Sequence, residues 1–379
     1  MRPGALTSRS KILLLAFAFV AVLAVVFWSG RSPSKTNSTK VNSSLGKQTN
    51  SLAQPSAMHA GDRLRSHIDE LLRTEDPAQV RSGLLALQQK LSSLRPDLAS
   101  SIVRSFLDSG ADVPTQLGFK IGPEGQLKEA PSLRVFLLDY FIQVDPLAAA
   151  AYAERILSSS SSADEWAISL KAYALGHPKA EADSFLKTKV REMLANEVWA
   201  NDASAGFLEA FDVIVYTRAT EFSSSLADLL RQKESRALAH AAYLTLDRLI
   251  QGNPIEVLGQ LQARPELLEG REYTRADYFA RADLGDAQQR QLLENYLLAS
   301  DRSEAELRKF ANIYPNANYL ISNNLLTPTT PVSGAALSER RRNALKVVRE
   351  WSGDPKFAKI KAHVQVIKAN LESIVEARP

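Results

Sequence analysis

Nine residues, Leu138-Asp139-Tyr140-Phe141-Ile142-Gln143-Val144-Asp145-Pro146, recur 108 residues further on as Leu246-Asp247-Arg248-Leu249-Ile250-Gln251-Gly252-Asn253-Pro254. The shared pattern is Leu-Asp-x-apolar-Ile-Gln-x-Asx-Pro. Its first part carries apolar residues at helical spacing. Its last two residues end that helix and begin the next. Asp or Asn caps the new helix, and Pro fits its first position, where the missing N–H would have no partner anyway. A chain built on such junctions must set one helix directly against another, with almost no linker between them. Further Asp-Pro and His-Pro junctions stand at Pro77 and Pro178. The prolines at 77, 146, 178 and 254 lie 69, 32 and 76 residues apart. These intervals are close to two, one and two units of about 35 residues, the length of a helical-hairpin repeat.

The body from 62 to 313 keeps a helical period throughout, and no segment alternates apolar and polar residues long enough to predict a strand of any length. Single helices are expected over 179–199, 202–218, 220–232 and 235–251. Ser132–Gln143 is apolar nearly all round and is expected to be buried on most sides. Ser162-x-x-Glu165 is a capping box for the helix after the serine run. Two stretches interrupt the rhythm. One is 110–131, rich in Gly and Pro, where Phe119-Lys120-Ile121 and Gln126-Leu127-Lys128 predict a small hairpin. The other is 314–334, rich in Asn and Thr-Pro. A helical pair over 335–379 follows and closes the same domain. Phe357, Ile360, Val364, Ile367, Leu371 and Ile374 form an apolar stripe on its last helix. That stripe either seals the end of the body or forms a seam with a second copy.

Asp76-Pro77-Ala78-Gln79-Val80-Arg81, with Leu84, Ala86 and Leu87, resembles the second-helix start of HEAT and armadillo-type repeats. Later junctions lack the Val-Arg. The resemblance implies an all-α fold, an α-solenoid or armadillo-like array of helical hairpins, and arrays of that kind usually present a concave binding surface. An irregular helical bundle is the alternative.

The N-terminus has a separate character. A basic tail over 1–11 precedes Ile12 to Trp28, a run without a polar side chain. The run is just long enough to span a bilayer, so it is expected to be a single transmembrane signal-anchor, with a cleaved signal peptide as the alternative. The Ser-, Thr-, Asn- and Lys-rich stretch 29–61 cannot bury a core and is expected to be a disordered tether. Seven of the 46 basic residues and none of the 42 acidic ones lie in 1–61. The net charge of +4 therefore comes from the tail, and the rest of the chain is near −3. No nucleic-acid partner is implied. The expected location is the inner, cytoplasmic membrane of a bacterium, with the C-terminal domain on the periplasmic side.

No set of residues announces a reaction. There is no cysteine, no Gly-x-Ser-x-Gly elbow, no phosphate loop and no dinucleotide fingerprint. None of the five histidines pairs with another at helical spacing, so no metal site and no cofactor is predicted. Paired carboxylates occur near helix starts, where they complement the helix dipole. Two Arg-rich places are candidate interaction surfaces: Arg271, Arg275 and Tyr278, and the run Arg340, Arg341, Arg342. The first also fits ion pairing along an exposed helix, Asp277 with Arg281, and the second a solvated helix face. The expected function is a membrane-anchored module that binds or scaffolds another protein or an envelope polymer. A cell-wall or glycan-acting enzyme with an unrecognised site, and a structural homo-oligomer through the terminal stripe, are the alternatives.

Overall fold

The computed structural model describes Ser66 and residues 76–232, 234–317, 322–328 and 332–376. The basic tail, the signal-anchor over 12–28 and the tether lie outside the described residues, as does nearly all of the helix expected over 62–73. Among the described residues no helix is long and apolar enough to cross a membrane.

The described chain is all-helical apart from one small hairpin. Helix α1 (Pro77–Ser92) starts with Asp76 Oδ1 accepting from Ala78 N and Pro77 in the first turn. Helix α2 (Pro96–Asp108) leads into the hairpin, β1 (Lys120–Ile121) paired antiparallel with β2 (Leu127–Glu129). Helices α3 (Leu133–Val144), α4 (Pro146–Ser159) and α5 (Ala163–Gly176) follow. Helix α3 buries an almost continuous run from Leu137 to Ile142, as expected of a helix with no polar face. Helix α5 is enclosed to the same degree and packs against α3, α4 and later helices. Its last residue, Gly176, lies so close to the start of α4 that a Cβ there would sit 2.6 Å from Pro146 O. Only glycine fits that crossing.

The helices expected over 179–199, 202–218 and 220–232 are broken into shorter ones: α6 (Lys179–Leu194), α7 (Glu197–Asn201), α8 (Ala205–Glu209), α9 (Asp212–Tyr216) and α10 (Ser223–Leu230). The breaks have local causes. Asn196 caps α7 by accepting from Trp199 N, and Ser204 caps α8 by accepting from Phe207 N. Arg218 takes a left-handed φ of 49°, which closes α9. These side chains offer the backbone a turn that competes with continued helix.

Helix α11 (Arg236–Gly252) runs straight into α12 (Pro254–Ala263), and α13 (Glu272–Phe279), α14 (Ala287–Leu298) and α15 (Glu304–Ile313) complete the body. Helices α16 (Gly334–Gly353) and α17 (Lys361–Glu376) end it. Packing is mostly between helices one or two places apart in the chain: α4 with α5, α10 with α11, α13 with α15, α16 with α17. Phe357, Ile360, Val364, Ile367 and Leu371 are buried within this chain, while Ile374 stays exposed. The terminal stripe therefore packs on α15 and α16 of its own body.

Candidate binding site

The aspartate of the repeated junction has the same task in both copies. Asp139, on α3, is buried; its Oδ1 accepts from Lys171 Nζ at 2.6 Å and its Oδ2 from Leu127 N at 2.8 Å. Lys171 Nζ also donates to Gly125 O. Asp247, on α11, is buried too and receives Arg281 as a fork, Nε on Oδ1 and the terminal nitrogen on Oδ2, both at 2.9 Å. Arg281 donates onward to Asn316 O at 3.0 Å. The partner cation thus lies 32 residues downstream in one copy and 34 in the other. Each pair grips one of the two irregular stretches, the hairpin in the first case and the segment after α15 in the second. The capping Asx residues are less alike: Asp145 Oδ1 accepts from Ala148 N, whereas Asn253 makes no such bond.

The two irregular stretches meet. Asn323 Nδ2 donates to Ile121 O, and a Cβ on Gly125 would sit 2.7 Å from Leu325 O. Leu325 is buried. Further along, a third buried carboxylate holds the same segment. Asp212, at the start of α9, accepts Leu326 N at 2.6 Å, Thr327 N at 2.8 Å, Thr327 Oγ1 and Arg248 Nη1 at 2.7 Å. Four donors fill the lone-pair positions of a carboxylate. Two of them are consecutive main-chain N–H groups that converge on Oδ2, so Asp212 holds the bend at 325–326 by its backbone and by the Thr327 hydroxyl.

Beside this clasp lies a cavity of about 510 Å³ between α8, α9 and α11, floored by Asn324, Thr327 and Pro328. Its size is that of a small-ligand site. Leu208, Val215, Ala237, Ala241 and Leu244 make one part of the wall apolar; Glu209, His240, Arg248 and Gln251 make the rest polar. Glu209 differs from every other acid in the neighbourhood. It is half-buried, and among the described residues it has neither a hydrogen-bond donor nor an ion-pair partner. Burial pushes its carboxyl above the ordinary range, the nearby Asp212 adds to this, and Arg248 opposes it without prevailing. Arg248 itself is committed to Asp212 and Thr327.

The residues singled out from the sequence sit elsewhere. Arg275 is buried and forks onto Glu306, with bonds of 2.7 and 2.6 Å. Tyr278 is fully buried and donates to Tyr243 O, and burial raises its hydroxyl pKa well above the usual value. Arg271 donates to Leu230 O. Arg281 pairs with Asp247 rather than Asp277, which instead faces Lys309 at 3.2 Å. Arg340 donates to Arg281 O; Arg341 is half-buried beside it and Arg342 is exposed. Of the six, Arg341 and Arg342 have no hydrogen-bond or ion-pair partner among the described residues, and Arg342 is the more exposed. The capping box at 162–165 is half formed: Ser162 caps Glu165 N, while the Glu165 side chain pairs with Arg134 at 2.7 Å. Glu209 and the clasp at Asp212 carry no motif. The periodic wall of α11, Ala237, Ala241, Leu244 and Arg248, was the one signal available, and it has the spacing of any amphipathic helix.

Among the described residues no three His, Asp or Glu side chains are placed together to hold a metal ion. Comparison with protein-family models, with curated proteins and with solved structures finds no match to this chain.

Proposed function

We propose that this chain is a binding module: an array of HEAT- or armadillo-like helical hairpins, carried on the 12–28 anchor at the bacterial inner membrane, that takes an extended polymer chain in the groove bounded by α8, α9 and α11. The observation that carries the proposal is the Asp212 clasp. By tying Leu326 and Thr327 to the start of α9 it fixes the floor of the neighbouring cavity, so that a second chain would meet a wall already in place. The open cavity continues from the end of that segment at Thr327 and Pro328.

Binding is preferred to glycan hydrolysis on the state of the acids. Glycoside hydrolysis uses two carboxyl groups, one of them a free base or nucleophile. Along this wall Asp212 is saturated and Asp247 is tied to Arg281 and Gln251, which leaves Glu209 alone.

Site-specific photocrosslinking in the full-length, membrane-inserted protein tests the proposal. A crosslinker at Leu208 or Leu244, in the cavity wall, is expected to give a discrete adduct. The same group at Leu147 or Val198, exposed apolar positions on α4 and α7, is expected to give none. Equal labelling at all four positions, or none at the cavity, overturns it. Protease protection of sealed vesicles checks the location; accessibility of the body from the cytoplasmic side counts against the proposed orientation.

A further inference from the structure

We infer that the cavity at Glu209 is a subsite for a primary ammonium group on a short aliphatic stem. The inference rests on the binding proposal and names the chemistry of what is bound.

Three features converge on that chemistry. The first is charge. Three carboxylates line the cavity, Glu209, Asp212 and Asp247. Two are neutralised by named partners, Asp212 by Arg248 and Asp247 by Arg281. Glu209 has no ion-pair partner among the described residues and feels Arg248 only at a distance, and a cation is what balances it. The second is hydrogen-bonding sense. Gln251 donates its amide nitrogen to Asp247 Oδ2 at 2.8 Å, which fixes the flip of the amide and leaves its oxygen as an acceptor. Thr245 turns its hydroxyl hydrogen back to Ala241 O. On these two side chains the polar atom left over is an acceptor, and the imidazole of His240 adds an acceptor nitrogen beside its N–H. An ammonium group has three donors and no acceptor. The third is shape. Leu208, Val215, Ala237, Ala241 and Leu244 offer apolar wall beside the polar end, as a methylene stem requires. The cavity is also too small for a folded partner and large enough for a diamine or a lysine side chain.

An unpartnered, half-buried carboxylate lowers the stability of the protein that carries it, so a structural role and a ligand role predict opposite outcomes for its removal. Glu209→Gln keeps the shape and removes the charge. On the present inference it raises the Tm of the ligand-free protein at neutral pH and abolishes cation binding. Glu197→Gln, at an exposed carboxylate on α7, serves as the control.

Binding to the full-length protein in detergent is measured by calorimetry with two sources of the same group, 1,5-diaminopentane as a free amine and Nα-acetyl-lysine amide as a side chain. The neutral isosteres are 1-pentanol and Nα-acetyl-norleucine amide. At least one ammonium probe is expected to bind tenfold or more tightly than its isostere, and Glu209→Gln to erase that difference while Glu197→Gln preserves it. Preference for the acetylated lysine places the group on a polymer; preference for the diamine makes it a free metabolite. If ammonium and neutral probes bind alike, or Glu209→Gln leaves the preference intact, the inference is overturned. Should crosslinking at Leu244 still succeed in that case, the binding proposal survives it; if that also fails, both fall.

Discussion

Replacing Arg281 by Met removes the cation from the second junction while keeping most of the stem. Arg281 and Asp247 are 9% and 6% exposed, so neither charge is rescued by water. Three of the guanidinium's hydrogen bonds are lost, two to Asp247 and one to Asn316 O. Asp247 is left with Gln251 Nε2 as its one hydrogen-bond donor among the described residues. Breaking a buried pair by removing one partner costs ~3–5 kcal/mol, because the other charge remains desolvated. Each kcal/mol moves Tm by ~2–4 °C in domains of about 150–250 residues and by less in longer ones, so Arg281→Met is expected to melt several degrees early. The double variant Asp247→Leu/Arg281→Met is expected to recover most of the loss, since an apolar pair of similar volume often matches a buried salt bridge. The pH dependence adds a signed check. Burial already holds the Asp247 carboxyl above its ordinary value against the pull of Arg281. Without Arg281 it rises further, the folded state then binds more protons than the unfolded one, and stability falls as pH rises through that window. The variant should therefore regain stability relative to wild type as pH is lowered from 7 to 5. Urea denaturation followed by tryptophan fluorescence at both pH values measures all of this. A cost below ~0.5 kcal/mol, typical of surface changes, or a variant that loses ground on acidification, would refute the reasoning.

Other perturbations give equally definite outcomes. Gly125 has φ of +79° and its missing Cβ would meet Leu325 O; Gly125→Ala should cost ~1–3 kcal/mol and speed amide exchange at Leu326 and Thr327. Val364 is fully buried and Val366 is 40% exposed on the same helix. Val364→Glu should lower Tm sharply while Val366→Glu leaves it within a degree or two, and a change of sedimentation with Val366→Glu alone would point to a seam between copies instead. Burial alone would raise the Glu294 carboxyl, but Lys356 and Trp351 Nε1, each donating at 2.9 Å, hold it below the ordinary range. Its contribution is then present above the unfolded value and lost as pH falls through the folded one; Glu294→Gln should be less stable at pH 7 and converge with wild type in acid.

The helical class and the junctions were legible because they depend on local chemistry. Asp76, Asp145 and Ser162 cap where their position before Pro or an apolar run says they should. The breaks at Asn196 and Ser204 used the same vocabulary, but a long apolar period across 179–218 masked them. The partners of the buried acids were not legible. Lys171 and Arg281 lie a full helical hairpin away from Asp139 and Asp247, and nothing in a single sequence selects them from 46 basic residues. The burial of Arg275 and Arg281 was hidden for a related reason. Arg is rarely buried without a partner, and its partners, Glu306 and Asp247, are 31 and 34 residues distant. The clasp at Asp212 depends on a segment 114 residues further along the chain, so its cavity has no local signature at all.

Asp212 and Glu209 stand three residues apart in one helical corner, line one cavity and carry the same charge, yet they are opposites in how that charge is met. Among the described residues Asp212 has four donors and Glu209 none. Glu209 is half-buried at the open cavity, and burial raises its carboxyl. The contrast separates a structural acid from one kept for a ligand, and it can be read as a sign. Asp212→Asn places an amide N–H₂ against donors and strands Arg248, a loss of ~1–3 kcal/mol for the unmatched buried groups. Glu209→Gln removes a charge with no ion-pair partner among the described residues and should raise stability. A raised folded-state pKa means stability falls as pH rises through it, so the gain from Glu209→Gln should be largest above that pKa and vanish in acid. If both substitutions destabilise, Glu209 has a structural partner and the cavity loses its claim to a cation. If they move in opposite directions, the chain has an acid held at a cost to its own fold, which is the condition a binding site satisfies and a packing contact does not.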